Sequence, residues 1–304
     1  MDLLGALGVL VRVVETGSFS AVAREREVSQ AAVARQIAQL EEHFGLRLFH
    51  RTTRKLSLTD DGQMLLGYAR PVLNGVEGME AALGRQSSSP VGLVRVGVPV
   101  AATRFLAPRL PSLLSKHPGL RVELVVGDRF GDMIEDRLDL AMRSGEISDA
   151  SLVVRRAGSS GRVTVAAPEY LERRGLPSTP AELADHICLV HNNGPDADLW
   201  TFTGPETTLN VRISGSFTAD DSSAVHLAAL GGHGIACLPQ IEVFDDLRAG
   251  KLVSVLCNYP SPPVQVSMVY SSRRHLAPRT RLVLDFILEQ IREAQAILVG
   301  APPS

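Results

Sequence analysis

The sequence predicts two unlike parts joined by a long helix: a small helical unit ending in a β-wing, and a larger α/β region. Three observations carry this. The first 58 residues hold short helical stretches separated by capping residues and glycines. Residues 60 to 86 repeat apolar positions every three or four. After a polar break, strands and helices alternate to the C-terminus. A chain of 304 residues is long for one core and comfortable for two or three compact units.

Each element follows from its residues. Leu3, Leu4, Leu7, Leu10, Val11 and Val14 recur at helical spacing and predict a first helix with one apolar face, ended by Gly17. Ser18 is placed to cap a second helix, Phe19 to Glu25. Glu27-Val28 breaks the pattern, and Ser29 caps a third helix, Gln30 to Phe44, closed by Gly45. From Leu46 to Leu58, anchoring Leu46, Leu48 and Phe49 give way to polar and basic residues and then to alternating Leu56 and Leu58, the pattern of a small wing. Thr59-Asp60-Asp61 starts the long helix. Along it Leu65, Ala69, Val72, Val76, Met79 and Leu83 are spaced 4, 3, 4, 3 and 4, a heptad seam. Such a helix is about 40 Å long at ~1.5 Å per residue, more than a small domain needs. Pro71 and Gly75 weaken the pattern, and a helix packed only on its own chain remains the alternative to a dimer seam. Gln86-Ser-Ser-Ser-Pro90 reads as a linker.

Beyond it, strands are expected at Leu93 to Val98, Leu120 to Val126, Leu138 to Met142, Val163 to Ala166, Cys188 to His191, Leu209 to Ile213, Ile235 to Leu238 and Val264 to Tyr270. Helices are expected at Leu106 to Ser115, Met133 to Arg137, Pro168 to Arg174, Pro180 to Ala184, Ser222 to Leu230, Gln240 to Ala249 and Pro278 to Ala296. The alternation implies parallel sheet covered by helices, and about 210 residues suit two small lobes better than one.

Composition limits the partners. The formal net charge of −2, with 45% hydrophobic and 21% charged residues, describes an ordinary globular protein with no overall basic signature. Affinity for nucleic acid must then be local. Between His43 and Thr59 lie Arg47, Arg51, Arg54 and Lys55 with no acid among them, and phosphate contacts act over about 8 Å in physiological salt. Cys188, Cys237 and Cys257 are far apart and odd in number, which indicates neither a disulfide framework nor a zinc site; all three read as small buried residues. The start MDLLGALGVLVRVVE lacks a basic leader and a cleavage site, and no apolar run approaches the ~20 residues of a membrane span. A cytoplasmic protein without membrane contact, metal or cofactor is expected.

The second and third helices carry the strongest signal. Ala21, Ala23 and Val28 let two helices cross closely, and Val33, Ile37 and Leu40 anchor the third. That leaves Gln30, Ala31, Ala34 and Arg35 facing outward, as in a recognition helix fitting the major groove. Gln30 would read base edges, and Arg35 would meet phosphate or guanine. A plain three-helix bundle explains the apolar set equally well but not the acid-free basic wing beside it.

The segment ETGSFSAVAREREVSQAAVARQIAQLEEHFGLRLFHRTTRKLSLTDDG resembles the DNA-binding segment of LysR-type transcriptional regulators almost end to end. The likeness lies in the GSFS turn, the SQ-A-V--RQI helix, the LEE--G-LF-R wing entry and the L-LT--G start of the linker helix. It implies DNA contacts from Ser29, Gln30, Ala31, Arg35 and Gln36 on the helix, and from Arg51, Thr52, Arg54 and Lys55 in the wing. Ala34 departs from the serine usual there, which removes a phosphate contact and not a base contact. FLAPRLPSLLSKHP, DLAMRSGEISDASLVVRR, PEYLERRG and GGHGIACLP are more loosely similar to the family's periplasmic-binding-protein-like effector domain. There two lobes are joined by crossing strands and a small-molecule effector sits between them. The implied division is a winged helix-turn-helix at 1–59, a linker helix and hinge at 60–90, and an effector domain at 91–304. Its first lobe would span about 91–162 and 266–304, the second about 163–265. The resemblance also implies a homodimer or a tetramer of two dimers, and a double-stranded operator with an inverted repeat.

Ligands in open α/β sheets bind beyond the carboxyl ends of strands. Four places qualify: Val100, Ala101, Ala102 and Thr103 after the first strand; Arg143 and Ser144; His191 and Asn192, with Asn193; and Thr218, Asp220 and Asp221 before a helix. Each has a duller alternative. Thr103 and Asp221 could be helix caps, Asp221 more readily a cap than a ligand contact, and Arg143 could pair with a neighbouring acid. If Asp220 faces the cleft, the effector is not a simple carboxylate, or Arg143 offsets the charge. Catalytic signatures are missing: there is no GxSxG, HExxH, P-loop or GxGxxG after a strand. Gly231-Gly232-His233-Gly234 reads as a turn between a helix and a strand, so an enzyme is not expected.

Overall fold

In a computed structural model the chain is described at residues 1–50, 56–83, 90–128, 133, 136–271 and 276–300. The N-terminal unit consists of α1 (Leu3–Thr16), α2 (Phe19–Glu25) and α3 (Gln30–Phe44). Each begins on a side chain that accepts a first-turn amide: Asp2 from Gly5, Ser18 from Ala21, Ser29 from Ala32. Gly17 and Gly45 end α1 and α3 in left-handed backbone, φ 66° and 67°, which a Cβ disfavours. Leu7, Leu10, Val22, Val33, Ile37, Leu40 and Leu48 fill one buried core. Val28 does not join it and is exposed. The turn is instead held by backbone, the Val28 N–H donating to Ala23 O at 2.9 Å. Leu3 and Leu4 are likewise exposed, so the buried stripe of α1 is Ala6, Val9, Leu10 and Val13 with Leu7. The wing base is present: Phe49 pairs with Leu58, and His50 N–H donates to Ser57 O at 3.0 Å.

The long helix α4 spans Asp60–Ala82 and starts on the Thr59 hydroxyl, which accepts the Gly62 N–H at 3.0 Å. A Cβ on Gly62 would lie 2.2 Å from Leu48 O, so glycine lets the helix leave directly from the wing. Pro71 sits inside α4 without ending it. The expected seam is only partly free. Leu65 and Ala69 pack into the N-terminal core, because the first turns of α4 lie against α1. Val72, Met79 and Leu83 stay exposed, and Met64 and Tyr68 extend their stripe toward the helix start.

The remainder folds around two five-stranded sheets. The first has the order β2-β1-β3-β12-β4, from β1 (Gly92–Val98), β2 (Leu120–Val126), β3 (Leu140–Ser144), β4 (Val153–Ser160) and β12 (Val264–Tyr270). The second has the order β11-β5-β10-β6-β9, from β5 (Arg162–Ala166), β6 (Cys188–His191), β9 (Phe217–Ala219), β10 (Ile235–Pro239) and β11 (Val253–Ser254). A separate hairpin pairs β7 (Leu199–Thr203) with β8 (Thr208–Arg212). Inner strands such as β10 are buried on both faces, which is why they read as unbroken apolar runs.

The expectation of parallel sheet holds for β1 with β2 and β3 and for β6 with β9 and β10. It fails where the chain changes lobe. β12 runs antiparallel to both β3 and β4, and β10 runs antiparallel to β5, since the chain enters the second lobe near Gly161 and returns before Val264. β4, β7, β9 and β11 were not foreseen, and the third strand lies two residues later than expected. One helix was expected at Leu106 to Ser115; two are present, α5 (Val100–Leu106) and α6 (Leu110–Lys116), with Pro111 in the first turn of α6. The helix expected at Met133 to Arg137 lies partly outside the described residues. α7 (Pro168–Arg174), a 3-10 turn (Pro180–Asp185), α8 (Ser222–Leu230) and α9 (Gln240–Arg248) cover the second sheet. α10 (Pro278–Gly300) lays Val283, Leu284, Ile287, Leu288 and Ile291 on the first, a stripe at helical spacing. Cys188 and Cys237 are buried, but Cys257 is exposed, beyond the short β11. Among the described residues no single helix is long and apolar enough to cross a membrane, and no cluster of His, Cys, Asp or Glu is suited to a metal ion.

The N-terminal unit touches the first lobe through polar contacts. Glu15, almost buried, binds Arg12 at 2.5 Å and Arg121 of β2 at 2.7 Å. Asn74 of α4 donates to Asp139 at 3.1 Å and accepts from Arg279 of α10, which also binds Glu77. Burial pushes the Asp139 carboxyl above its usual range, against the Arg95 amide that donates to it.

Candidate functional site

Two surfaces collect the residues singled out above. The first is the start of α3. Ser29 is spent on capping, its hydroxyl accepting the Ala32 amide at 3.2 Å. Gln30, Ala31, Ala34 and Arg35 are exposed and Gln36 is half-buried, while Val33, Ile37 and Leu40 hold the opposite face in the core. The Ser20 hydroxyl donates to Gln30 Oε1 at 3.4 Å, a long contact that leaves the Gln30 amide nitrogen available. The helix thus presents a polar first turn with a cation one turn on. The wing begins beside it, with Arg47 paired to Glu41 at 3.2 Å. Arg51, Thr52, Arg54 and Lys55 lie outside the described residues.

The second is a cleft of about 350 Å³ between the two sheets. Its walls come from both lobes: Ala101, Asp128, Met142, Arg143 and Ser144 from the first, Arg162, His191, Asn193, Ser222 and Pro239 from the second, with Ser160 and Val264 at the crossing strands. A larger hollow of about 570 Å³, beside Phe244, Arg248 and Tyr259, belongs to the second lobe alone. A site that joins both lobes can report on their relative position, so its construction outweighs size.

Of the four strand ends proposed from sequence, three meet in this cleft through Ala101, Arg143, Ser144 and His191. Val100 contributes its amide and not its side chain, donating to Asp128 Oδ1 at 3.0 Å. Ala102 belongs to the core of the first lobe, because α5 turns that face toward the sheet. The Thr103 hydroxyl donates to Val100 O at 2.6 Å, so it is tied within its own helix. The Asn192 amide continues the sheet, donating to Ala219 O at 2.7 Å, while Asn193 reaches the cleft. At the fourth place Asp221 is the cap of α8, accepting from Ser223 N at 2.8 Å. Neither Thr218 nor Asp220 lines the cleft; Thr218 is exposed on the edge strand β9. Ser222 enters in their stead.

Asp128 was missed, although it follows the carboxyl end of β2 and the same strand-end argument reaches it. GDRFGD reads as a polar loop, and nothing in its local pattern marks one acid among two. Its carboxylate accepts from Val100 N, lies 3.0 Å from His191 Nε2, and accepts from Ser222 N at 3.4 Å. Burial alone would push this carboxyl up, but His191 and the two amides outweigh it and hold it below the usual range. Glu242, in the first turn of α9, is the opposite case. Burial pushes its carboxyl up, the Asp128 charge adds to the shift, and the Ser222 hydroxyl only partly offsets it.

Comparison with known proteins finds relatives over nearly the whole chain. Residues 4–63 match the family model for bacterial regulatory helix-turn-helix proteins of the lysR family, and residues 87–292 match the LysR substrate binding domain. An uncharacterised HTH-type transcriptional regulator of Haemophilus influenzae is 32% identical over 288 residues, covering 94% of this chain and all of that protein. The regulator CrgA of Neisseria meningitidis is 33% identical over 288 residues, 94% of this chain and 96% of its own. Its solved structure superimposes with a TM-score of 0.63 at 32% identity, covering 94% and 98% of the two chains. The full-length virulence activator AphB of Vibrio cholerae gives 0.59 at 28% identity, covering 95% and 99%. These relatives are regulators and not enzymes, and this chain shares their order of a helix-turn-helix followed by a two-sheet α/β domain. The chain belongs to the LysR family of transcriptional regulators, with a DNA-binding helix-turn-helix domain followed by a substrate-binding domain.

Proposed function

We propose that the chain regulates transcription by holding an operator with α3 and the wing while a small molecule in the interlobe cleft sets its activity. The observation that carries this is the cleft itself, whose polar wall groups come from both lobes, Arg143 and Ser144 facing His191 and Ser222. A ligand touching both lobes favours one relative position of them, and that differential affinity is what shifts an equilibrium. On the DNA side, Gln30, Ala31, Arg35 and Gln36 read or orient, with Ser29 setting the helix start and Arg51, Thr52, Arg54 and Lys55 gripping phosphates. The working unit is a homodimer through the exposed stripe of α4, with a tetramer as the pair of dimers. Two recognition helices on one face of DNA call for an inverted repeat with half-sites about a helical turn apart. The protein acts in the cytoplasm, where its operator is.

The test is linkage. Full-length protein is screened by thermal shift against a panel of small metabolites, and each hit is titrated with and without operator DNA. A cleft effector binds at least tenfold more weakly to Arg143→Ala, and its affinity changes on operator by a factor of roughly 5 to 150, matching its effect on DNA affinity. Equal affinity with and without operator contradicts the coupling. Undiminished binding to Arg143→Ala contradicts the cleft.

A further inference from the structure

The cleft already holds a carboxylate, and it belongs to the protein. Asp128 leaves the end of β2 in the first lobe and meets donors from both lobes. On its own side the Val100 amide donates at 3.0 Å. Across the cleft the Ser222 amide, first residue of the nine-residue α8, donates at 3.4 Å, and His191 Nε2 stands 3.0 Å away. The Asp128 and His191 side chains are 9% and 7% exposed, so these contacts are shielded from water. Backbone N–H groups at a helix start and an imidazole converging on one point form the kind of seat a free anion takes. Here the seat is filled without one, by a residue that closes the gap between the lobes.

We propose that Asp128 is a built-in occupant of the cleft's anion seat and a specificity-determining residue. It excludes an effector carboxylate from the Val100, Ser222 and His191 donors. The proposal rests on the cleft being the effector site. An incoming molecule meets a carboxylate with acceptor capacity remaining, in a cleft that Arg143 and Arg162 also line. The effector class that fits is a small molecule with a hydrogen-bond donor, such as a hydroxyl, amide or ammonium, directed to Asp128. Any acidic group it carries is directed to the arginines. A second anion beside Asp128 would face the existing charge.

Chemical rescue tests this without knowing the effector. Full-length wild type, Asp128→Ala and Asp128→Asn are melted in sodium formate or acetate at rising concentration. Sodium chloride at equal ionic strength and acetamide serve as controls. Asp128→Ala empties the seat, so its melting temperature should fall below wild type and recover in part with formate or acetate, but not with chloride or acetamide. Wild type and Asp128→Asn, whose seats are filled, should respond to the carboxylates no more than to chloride. If Asp128→Ala is recovered only by refolding, the yield in acetate against chloride reads the same point. An equal carboxylate response in wild type and Asp128→Ala overturns the proposal. So does the absence of any response, in melting or yield, in Asp128→Ala. Successful rescue with no metabolite ever found in the cleft would leave the seat established and remove the effector reading alone.

Discussion

At Asp128 a single side chain contacts both lobes, and its charge gives it a measurable pH signature. Its carboxyl is held below the usual range, so its contribution is complete above the unfolded value of about 3.9 and is lost as pH falls through the depressed value. Asp128→Asn should therefore be less stable than wild type near neutral pH, by about 1 to 3 kcal/mol for a charged hydrogen-bonded group. The gap should narrow as pH falls below the unfolded value. Urea unfolding of both proteins from pH 7 down to pH 3 measures it, and a gap that persists unchanged at the acid end contradicts the account. The cysteines offer a second reading. Burial pushes the Cys188 thiol up to about 12, and it lies against the Leu183 carbonyl in the second core, whereas Cys257 is exposed. Native alkylation with iodoacetamide followed by mass spectrometry should label Cys257 and spare Cys188. At this scale the sequence was only partly readable. The strand-end positions Arg143, Ser144 and His191 were legible because they follow apolar runs. Asp128 was not, because its partners Val100, His191 and Ser222 are distant in the chain.

At the scale of elements, local chemistry was informative wherever a cap and a stop were both present. α2, α3, α7 and α8 lie where Ser18, Ser29, Pro168 and Asp221 begin them and where Gly45, Gly175 and Gly231 end three of them. β4 was hidden because VVRRAGSS is polar and half-exposed, and it is made a strand by pairing with β12. The antiparallel crossings were hidden for the same reason: pairing direction is a tertiary choice that periodicity does not encode. The seam of α4 shows a subtler limit. Spacing alone placed Leu65 and Ala69 on the free stripe, but the helix already uses them against α1. Met64, Tyr68, Val72, Met79 and Leu83 form the stripe left exposed, the one the proposed dimer would use. A charge there should break association while leaving the fold intact. Tyr68→Glu with Met79→Glu should shift the protein toward monomer in sedimentation velocity, with unchanged circular dichroism. Unaltered association would remove α4 as the dimer seam.

At the scale of the molecule, the N-terminal unit and the long helix meet the first lobe through polar contacts. Glu15 to Arg121 joins the helix-turn-helix to the first lobe, and Arg279 joins α10 to Asn74 and Glu77 of the long helix. Glu15 is only 6% exposed and Arg279 15%, so removing either partner leaves a shielded charge uncompensated. The change of periodicity after residue 59 marks the long helix in the sequence, whereas residues 86–89 of the linker reading lie outside the described residues. What the sequence could not supply was the pairing of β12 with β3 and β4, which returns the chain to the first lobe and creates the cleft.

The central claim, that this molecule reads DNA through α3 and the wing, is tested most directly by footprinting. Genomic fragments captured by wild type are footprinted across a salt series with wild type, Gln30→Ala and Arg51→Ala. The account predicts a protected inverted repeat, relaxed base preference for Gln30→Ala, and weaker binding to all sequences for Arg51→Ala with the salt slope flatter by about one unit. No enriched fragment even at low salt, or two variants indistinguishable from wild type, would contradict it.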